Sequence, residues 1–191
     1  MITNVDSKLF ENWLSVVGIG ESGLVDLSQA ARGLVDRATI IVGGKRHLAM
    51  LDPSDRRKRI VWTSPIEDSI ESILKYRGTP VCILASGDPL CYGIGVTLLR
   101  HISIEQMTII PAPSTFSLIC ARLGWSLTDV ETLSLCGRAP DFLAAILAPG
   151  AKLLILSAGV DTRQIVADLL TQRGYGDSQI TILEHLGGGH E

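Results

Sequence analysis

The sequence lacks most of what would mark a membrane, secreted or metal-holding protein. Its longest apolar run, Phe142–Ala151, is broken by Pro149 and Gly150 and covers about half of the roughly 20 residues that a spanning helix needs. The N-terminus carries Asp6, Lys8 and Glu11 where a signal peptide would be apolar. Cysteine is scarce: Cys82, Cys91, Cys120 and Cys136 contain no CxxC pair, and three of them lie in apolar segments. Buried reduced thiols are therefore expected rather than a disulfide framework. His47 and His101 stand alone, while His185 and His190 sit in a Gly-rich tail without a nearby cysteine, so no metal is expected. A basic excess is missing too. Seventeen Lys+Arg against twenty Asp+Glu leave a net charge of −3, which argues against nucleic-acid binding. No GxSxG elbow, P-loop or HExxH motif occurs. What is present, 46% hydrophobic and 19% charged residues in 191, excludes disorder and suffices for one substantial core or two small ones. The chain reads as a soluble, cytoplasmic protein without a membrane or nucleic-acid partner.

Short apolar runs alternate with segments of helical period, the pattern of an α/β protein with largely parallel strands. Strands are predicted at Leu14–Val17, Thr39–Val42, Arg59–Thr63, Val81–Ala85, Met107–Ile110, Thr132–Leu135, Leu153–Leu156 and Ile180–Leu183. Helices are predicted at Leu24–Asp36, with Leu27, Ala31, Leu34 and Val35 on one face, and at Ile66–Lys75, Tyr92–Arg100 and Ser114–Leu123. A further helix, Thr162–Gln172, would be capped by Asp161. Pro111 and Pro113 interrupt the pattern after five strands. That suggests one α/β domain over residues 1–111 and a second over 112–191, the latter short and ending at Leu186-Gly-Gly-Gly-His-Glu191 as though incomplete.

Three loops carry candidate chemistry. Gly18-Ile-Gly20-Glu-Ser-Gly23 follows a strand and precedes a helix, which satisfies the dinucleotide fingerprint. The ribose-binding acid expected about 20 residues on is absent; Lys45 and Arg46 stand there instead and would suit the 2′-phosphate of NADP, leaving an oxidoreductase as an alternative. In the second loop, Ser86-Gly87-Asp88-Pro89 ends a strand, and Gly93 and Gly95 follow. Glycine-exposed backbone at the carboxyl edge of a parallel sheet can approach a ligand closely, and Asp88 could accept from ribose hydroxyls or an amino group. A plain Asp-Pro turn is the competing explanation. In the third, Pro111-Ala-Pro-Ser-Thr115, Ser114 or Thr115 would cap the next helix, and its free N–H groups could also face a ligand. Arg56-Arg57-Lys58-Arg59 reads as a solvated loop leading into a strand.

At these loops the chain resembles the tetrapyrrole methylases, the S-adenosylmethionine-dependent family of cobalamin and sirohaem synthesis. The residues that carry the resemblance are Val16-Val-Gly-Ile-Gly20, Val42-Gly-Gly-Lys-Arg-His-Leu48, Leu84-Ala-Ser-Gly-Asp-Pro-Leu-Cys-Tyr-Gly-Ile-Gly95 and Ile110-Pro-Ala-Pro-Ser-Thr-Phe-Ser117. Ala121-Arg-Leu-Gly-Trp125 and Leu133-Ser-Leu-Cys-Gly-Arg138 extend it. The Gly-Gly-Lys-Arg and Arg-Leu-Gly-Trp stretches look like the branch that methylates C5 of a precorrin. Two departures stand out. Glu21-Ser22-Gly23 replaces the family's Pro-Gly, and Pro111-Ala-Pro-Ser-Thr115 replaces its Pro-Gly-Val-Ser-Ser. The second variant resembles long bifunctional enzymes, so an N-terminal module of a longer protein is expected.

The resemblance implies two αβα domains with the S-adenosylmethionine cleft between them, and a homodimer. Ser86, Gly87 and Asp88 would contact the methionine end and ribose, joined by Cys91, Ser114 and Thr115. Cys136, Gly137, Ser157 and Ala158 would lie near the adenine. Gly18 and Gly20 would floor the tetrapyrrole trough, with Lys45, Arg46 and Arg138 meeting the substrate's carboxylates. No catalytic base is implied.

Overall fold

A strand that is apolar on both faces needs cover on both, and three strands here have that character. In the computed structural model, which describes residues 11–191, the strands β1 (Leu14–Ile19), β2 (Ile40–Gly43), β3 (Lys58–Val61), β4 (Val81–Ser86) and β5 (Met107–Ile110) form one parallel sheet of order β3-β2-β4-β1-β5. All of β1 and β2, and all of β4 except Ser86, are buried. The helices are α1 (Gln29–Arg37), α2 (Lys45–Ala49), α3 (Ile66–Leu74) and α4 (Ile94–Leu98). On one face Val16, Val42 and Ile83 pack with Ile70 and Ile73 of α3 and Leu98 of α4. On the other, Val17, Ile41 and Leu84 pack with Ala31, Leu34 and Val35 of α1 and Leu48 of α2. Each of these Val, Leu and Ile side chains contributes about 1.5–3 kcal/mol when fully buried. Asp6 and Lys8 lie outside the described residues.

This order creates the site. The chain leaves β1 toward β2 and leaves β4 toward β5, in opposite directions along the sheet. Right-handed crossovers then put the two connections on opposite faces. β1 and β4 are hydrogen-bonded neighbours, so their carboxyl ends form a topological switch point, where α/β sheets open a crevice.

The chain divides into two units, the first ending at Ser114 and including Gly187–Gly189, the second holding Thr115–Leu186 and His190–Glu191. In the second, β6 (Glu131–Ser134) pairs parallel with β7 (Leu153–Leu156). Its helices are α5 (Thr115–Leu123) and α6 (Thr162–Gln172). Leu133, Leu135, Leu143, Val166 and Leu170 are its core.

Several expectations need correction. Ile180–Leu183 is not a strand; it pairs with no neighbour and all four residues are exposed. The predicted helix Leu24–Asp36 is two elements, a 3-10 turn at Leu24–Asp26 and α1, whose first turn is capped by the Ser28 hydroxyl accepting from Ala31 N–H at 3.2 Å. Asp161 occupies the cap position of α6 without a side-chain bond, and Thr162 Oγ1 instead accepts from the N–H groups of Ala158 and Gly159 at 3.1 and 3.2 Å. Of the four thiols, Cys82 and Cys120 are buried, Cys91 is half-buried and Cys136 is exposed on the turn after β6.

The basic run is not simply solvated either. Arg57 pairs with Asp55 at 2.6 Å and donates to the carbonyls of Val35, in the last turn of α1, and of Ala38, its C-cap. Arg59 reaches the carbonyls of Leu48, Asp52 and Asp55. Arg57 holds the Asp55 carboxyl down at about 2, against an ordinary 3.8. A lowered folded-state pKa means stability present above pH 3.8 and lost as pH falls toward 2. Arg57→Ala should cost about 1–3 kcal/mol in urea unfolding at pH 7 and flatten the acid dependence in that window; an unchanged midpoint would remove this role.

Candidate active site

Three strand exits are stitched together at the switch point. Gly87 N–H donates to the Ile19 carbonyl at 2.9 Å, and Ala112 N–H donates to the Gly87 carbonyl at 3.1 Å. The loops after β1, β4 and β5 therefore share one hydrogen-bonded seam. Gly18 makes this possible, since a Cβ there would lie 2.0 Å from the Gly87 oxygen and 2.4 Å from the Ala112 nitrogen. Gly87 takes φ +55°, and a Cβ on it would lie 3.1 Å from the Pro113 carbonyl oxygen. Gly20 differs: it is half-buried with open space where its side chain would be.

The loop after β4 folds around one carbonyl. Gly95 N–H donates to Pro89 O at 2.9 Å, and side chains at positions 93 or 95 would come within 2.6 and 2.7 Å of that oxygen. Asp88 is a turn residue, as the simpler explanation held: its Oδ1 accepts from Leu90 N–H at 2.8 Å. Oδ2 takes no bond from the described residues, so the turn and a ligand contact are compatible. Burial pushes the half-buried Cys91 thiol up, helped by the Asp88 carboxylate and opposed by a hydrogen bond to the Ser114 side chain. Cys91 is thus a neutral thiol joining the second and third loops.

Lys45 and Arg46 lie in the first turn of α2, not at the strand tip. Lys45 is exposed; Arg46 forms an ion pair with Glu21 and places Nη2 3.4 Å from Ser86 Oγ. Next to it is a residue that the sequence reading set aside. His47 is 8% exposed, and its Nε2 lies 3.1 Å from Ser86 Oγ. Gly43 permits this approach, since a Cβ there would be 3.3 Å from His47 Cβ. Burial, reinforced by the Arg46 charge, holds His47 below its ordinary 6.5.

In the second unit the exits of β6 and β7 also lie side by side. Cys136 Sγ donates to the Ser157 carbonyl at 3.2 Å, and Leu135 N–H to the Leu156 carbonyl at 3.0 Å. Gly137 has φ +69° with open space at its Cβ position, and Arg138 is exposed. Ser157 Oγ donates to the Gly159 carbonyl at 2.8 Å, while Ala158 N–H is taken by Thr162. Ser86, Gly87, Asp88, Cys91 and Ser114 are brought together in the first unit, and Cys136, Gly137, Ser157 and Ala158 in the second; Thr115 opens α5.

The NADP alternative fails on this geometry. A dinucleotide loop must open directly into a helix whose N-terminus meets the pyrophosphate. Here Gly20–Gly23 closes a turn, with Gly23 N–H on Gly20 O at 3.2 Å, and α1 begins only at Gln29. The space over Gly18 is filled by backbone from the neighbouring loops.

Glycine-seamed loops at the carboxyl edge of a parallel sheet, offering hydroxyls and a carboxylate oxygen, define an α/β protein with the place where such sheets take small polar ligands. The chain belongs to the Tetrapyrrole (Corrin/Porphyrin) Methylases, whose family description matches residues 14–191. It is 40% identical over 190 residues to a precorrin-6Y C(5,15)-methyltransferase [decarboxylating] of Sinorhizobium sp, covering 100% of this chain and 46% of that protein. It is 36% identical over 174 residues to a cobalt-precorrin-7 C(5)-methyltransferase of Salmonella typhimurium, covering 91% and 85%. Among solved structures, a cobalamin biosynthesis precorrin-6Y methylase from Archaeoglobus fulgidus superposes with a TM-score of 0.58 at 26% identity, covering 75% of this chain and 72% of that one. The chain spans about half the length of the first of these relatives. Among the described residues no helix is long and apolar enough to cross a membrane.

Proposed function

We propose that this chain is a C-methyltransferase of cobalamin biosynthesis, transferring a methyl group from S-adenosylmethionine to C5 of a precorrin of the precorrin-6Y/precorrin-7 type. The observation that carries this is the 36% identity to a stand-alone C5-methyltransferase across 85% of its length, joined to the seam at Gly18, Gly87 and Ala112. A role as one module of a C5,15-methyltransferase rests on the 40% identity to such an enzyme.

The residues present suit the donor. Asp88 Oδ2 can accept from a ribose hydroxyl or the methionine ammonium, Ser86 is exposed at the end of β4, and Gly137 has open space at its Cβ position. S-adenosylmethionine supplies a methyl group on a cationic sulfonium, already activated for in-line displacement by an electron-rich carbon. The protein's task is alignment and exclusion of water, effects that supply roughly 7–11 kcal/mol in favourable cases. In the first unit we assign this to Ser86, Gly87, Asp88, Cys91 and Ser114; for Thr115, Cys136, Gly137, Ser157 and Ala158 the assignment rests on the family resemblance alone. Gly18 and Gly20 shape the floor of the tetrapyrrole trough, with Lys45, Arg46 and Arg138 at its rim. The family resemblance supports a cytoplasmic homodimer, which light scattering in solution checks for its dimeric part.

Incubation with precorrin and methyl-labelled S-adenosylmethionine, read by NMR, tests the function: a label at C5 is expected, and a label elsewhere or none contradicts it. Lys45→Ala tests the rim. It is the cleaner choice because Arg46 also borders Ser86. Removing one exposed charge pairing should raise the precorrin KM about two- to fivefold, with S-adenosylhomocysteine affinity unchanged; equal loss of both would take Lys45 off the substrate side.

A further inference from the structure

The contact between His47 and Ser86 is left unused by the function above. His47 sits on α2, after β2, and Ser86 ends β4; the two strands are paired, which brings residues 39 apart in sequence to 3.1 Å. The hydrogen-bond directions follow from the neighbours. Arg46 Nη2, a group with donors only, lies 3.4 Å from His47 Nε2. An unprotonated Nε2 suits that cationic neighbour and keeps its lone pair for the nearer Ser86 hydroxyl, with the ring proton on Nδ1. That atom is buried with no hydrogen-bond partner among the described residues, while the Leu84 carbonyl acts on the ring. A side chain kept only for packing would gain by being apolar here, since an incompletely satisfied buried donor is a cost. The acceptor at Nε2 is what histidine adds.

We propose that His47 is a positioning residue: its Nε2 takes the Ser86 hydroxyl hydrogen and so fixes the Ser86 oxygen, one lone pair toward Arg46 and the other left as an acceptor for the ammonium of the donor's methionine end. This rests on the function proposed above. Arg46 does not repel that ammonium at full strength, because Glu21 from the loop after β1 is paired with it. Arg46 on α2 and Glu21 are the charged groups that act on His47; Leu84 and Ser86 of β4 are uncharged. Protonation of His47 reverses the arrangement. Nε2–H then donates to Ser86 Oγ, occupies the lone pair meant for the ligand and adds a positive charge near the ligand's ammonium. The folded His47 titrates below 6.5, so S-adenosylhomocysteine affinity is full above neutrality and falls on the acid side of 6.5.

The test is calorimetric titration with S-adenosylhomocysteine between pH 5 and pH 8. Wild type should lose about tenfold in affinity toward the acid end. His47→Gln puts an amide oxygen in reach of the Ser86 hydroxyl; it should bind near wild-type strength at pH 7.5 and lack the acid limb. His47→Leu and Ser86→Ala should each weaken binding about tenfold at pH 7.5, and the double variant no further than either alone, because one hydrogen bond links them. Melting curves identify any variant that fails to fold, and His47→Gln then decides the matter. Additive losses, or an undiminished acid limb in His47→Gln, would overturn the proposal. Wild type that binds no S-adenosylhomocysteine at any pH would overturn the function beneath it, a result distinct from wild type that binds without a His47-dependent limb.

Discussion

Gly18→Ala is expected to abolish the donor site and to destabilise the first unit. Its new Cβ would stand 2.0 Å from the Gly87 carbonyl oxygen and 2.4 Å from the Ala112 nitrogen, and both atoms are backbone held in a hydrogen bond with each other. No rotamer change relieves such a clash. The loops after β4 and β5 must move apart, breaking the seam that places Ser86, Asp88 and Ser114. Overpacking of a rigid interior costs about 1–3 kcal/mol and occasionally more, and a contact to two backbones belongs at the upper end. The melting temperature should fall by roughly 6–12 °C for about 3 kcal/mol in a chain of this size, and S-adenosylhomocysteine binding should disappear. Gly20→Ala is the matched control. Nothing lies within 4 Å of its added methyl, so its melting temperature should stay within about 2 °C of wild type. Equal behaviour of the two variants would mean that the seam is not what keeps position 18 glycine.

Asp88→Asn should separate the turn from the ligand contact. The amide oxygen still accepts from Leu90 N–H as Oδ1 does at 2.8 Å, so the loop and the melting temperature are preserved. The charge is lost, and with it the charge-assisted bond proposed between the free oxygen and the donor. S-adenosylhomocysteine affinity should fall about tenfold to a hundredfold. Asp88→Ala should lose the same affinity and some stability as well. Wild-type affinity in Asp88→Asn would leave Asp88 a turn residue and nothing more.

The strands of the first sheet were legible because they are short apolar runs closed by Gly, Pro or charge, and parallel sheets demand such runs. Met107–Ile110 and Leu153–Leu156 fall where they were expected. Ile180–Leu183 has the same composition yet forms no strand: β propensity needs a paired neighbour, and sequence alone does not show which runs have one. The break between Leu24–Asp26 and α1 was hidden because Leu27 keeps the helical spacing, while Ser28, the capping signal, sits inside the run. The glycine loops were visible as motifs, but the reason for Gly18 was not, since its constraint comes from Gly87 and Ala112, far along the chain. His47 shows the same limit. It stands alone in sequence, and only the pairing of β2 with β4 brings it to Ser86. The one local signal was Gly43-Gly44 just before it, room for a close approach.

The most direct measurement is calorimetric titration of the chain with S-adenosylhomocysteine, with NADPH as the comparison ligand. Heat with the first and none with the second is the predicted result, and Gly18→Ala should erase it while Gly20→Ala leaves it intact. Heat with NADPH alone would contradict the methyltransferase reading and return Gly18–Gly23 to the role of a dinucleotide loop.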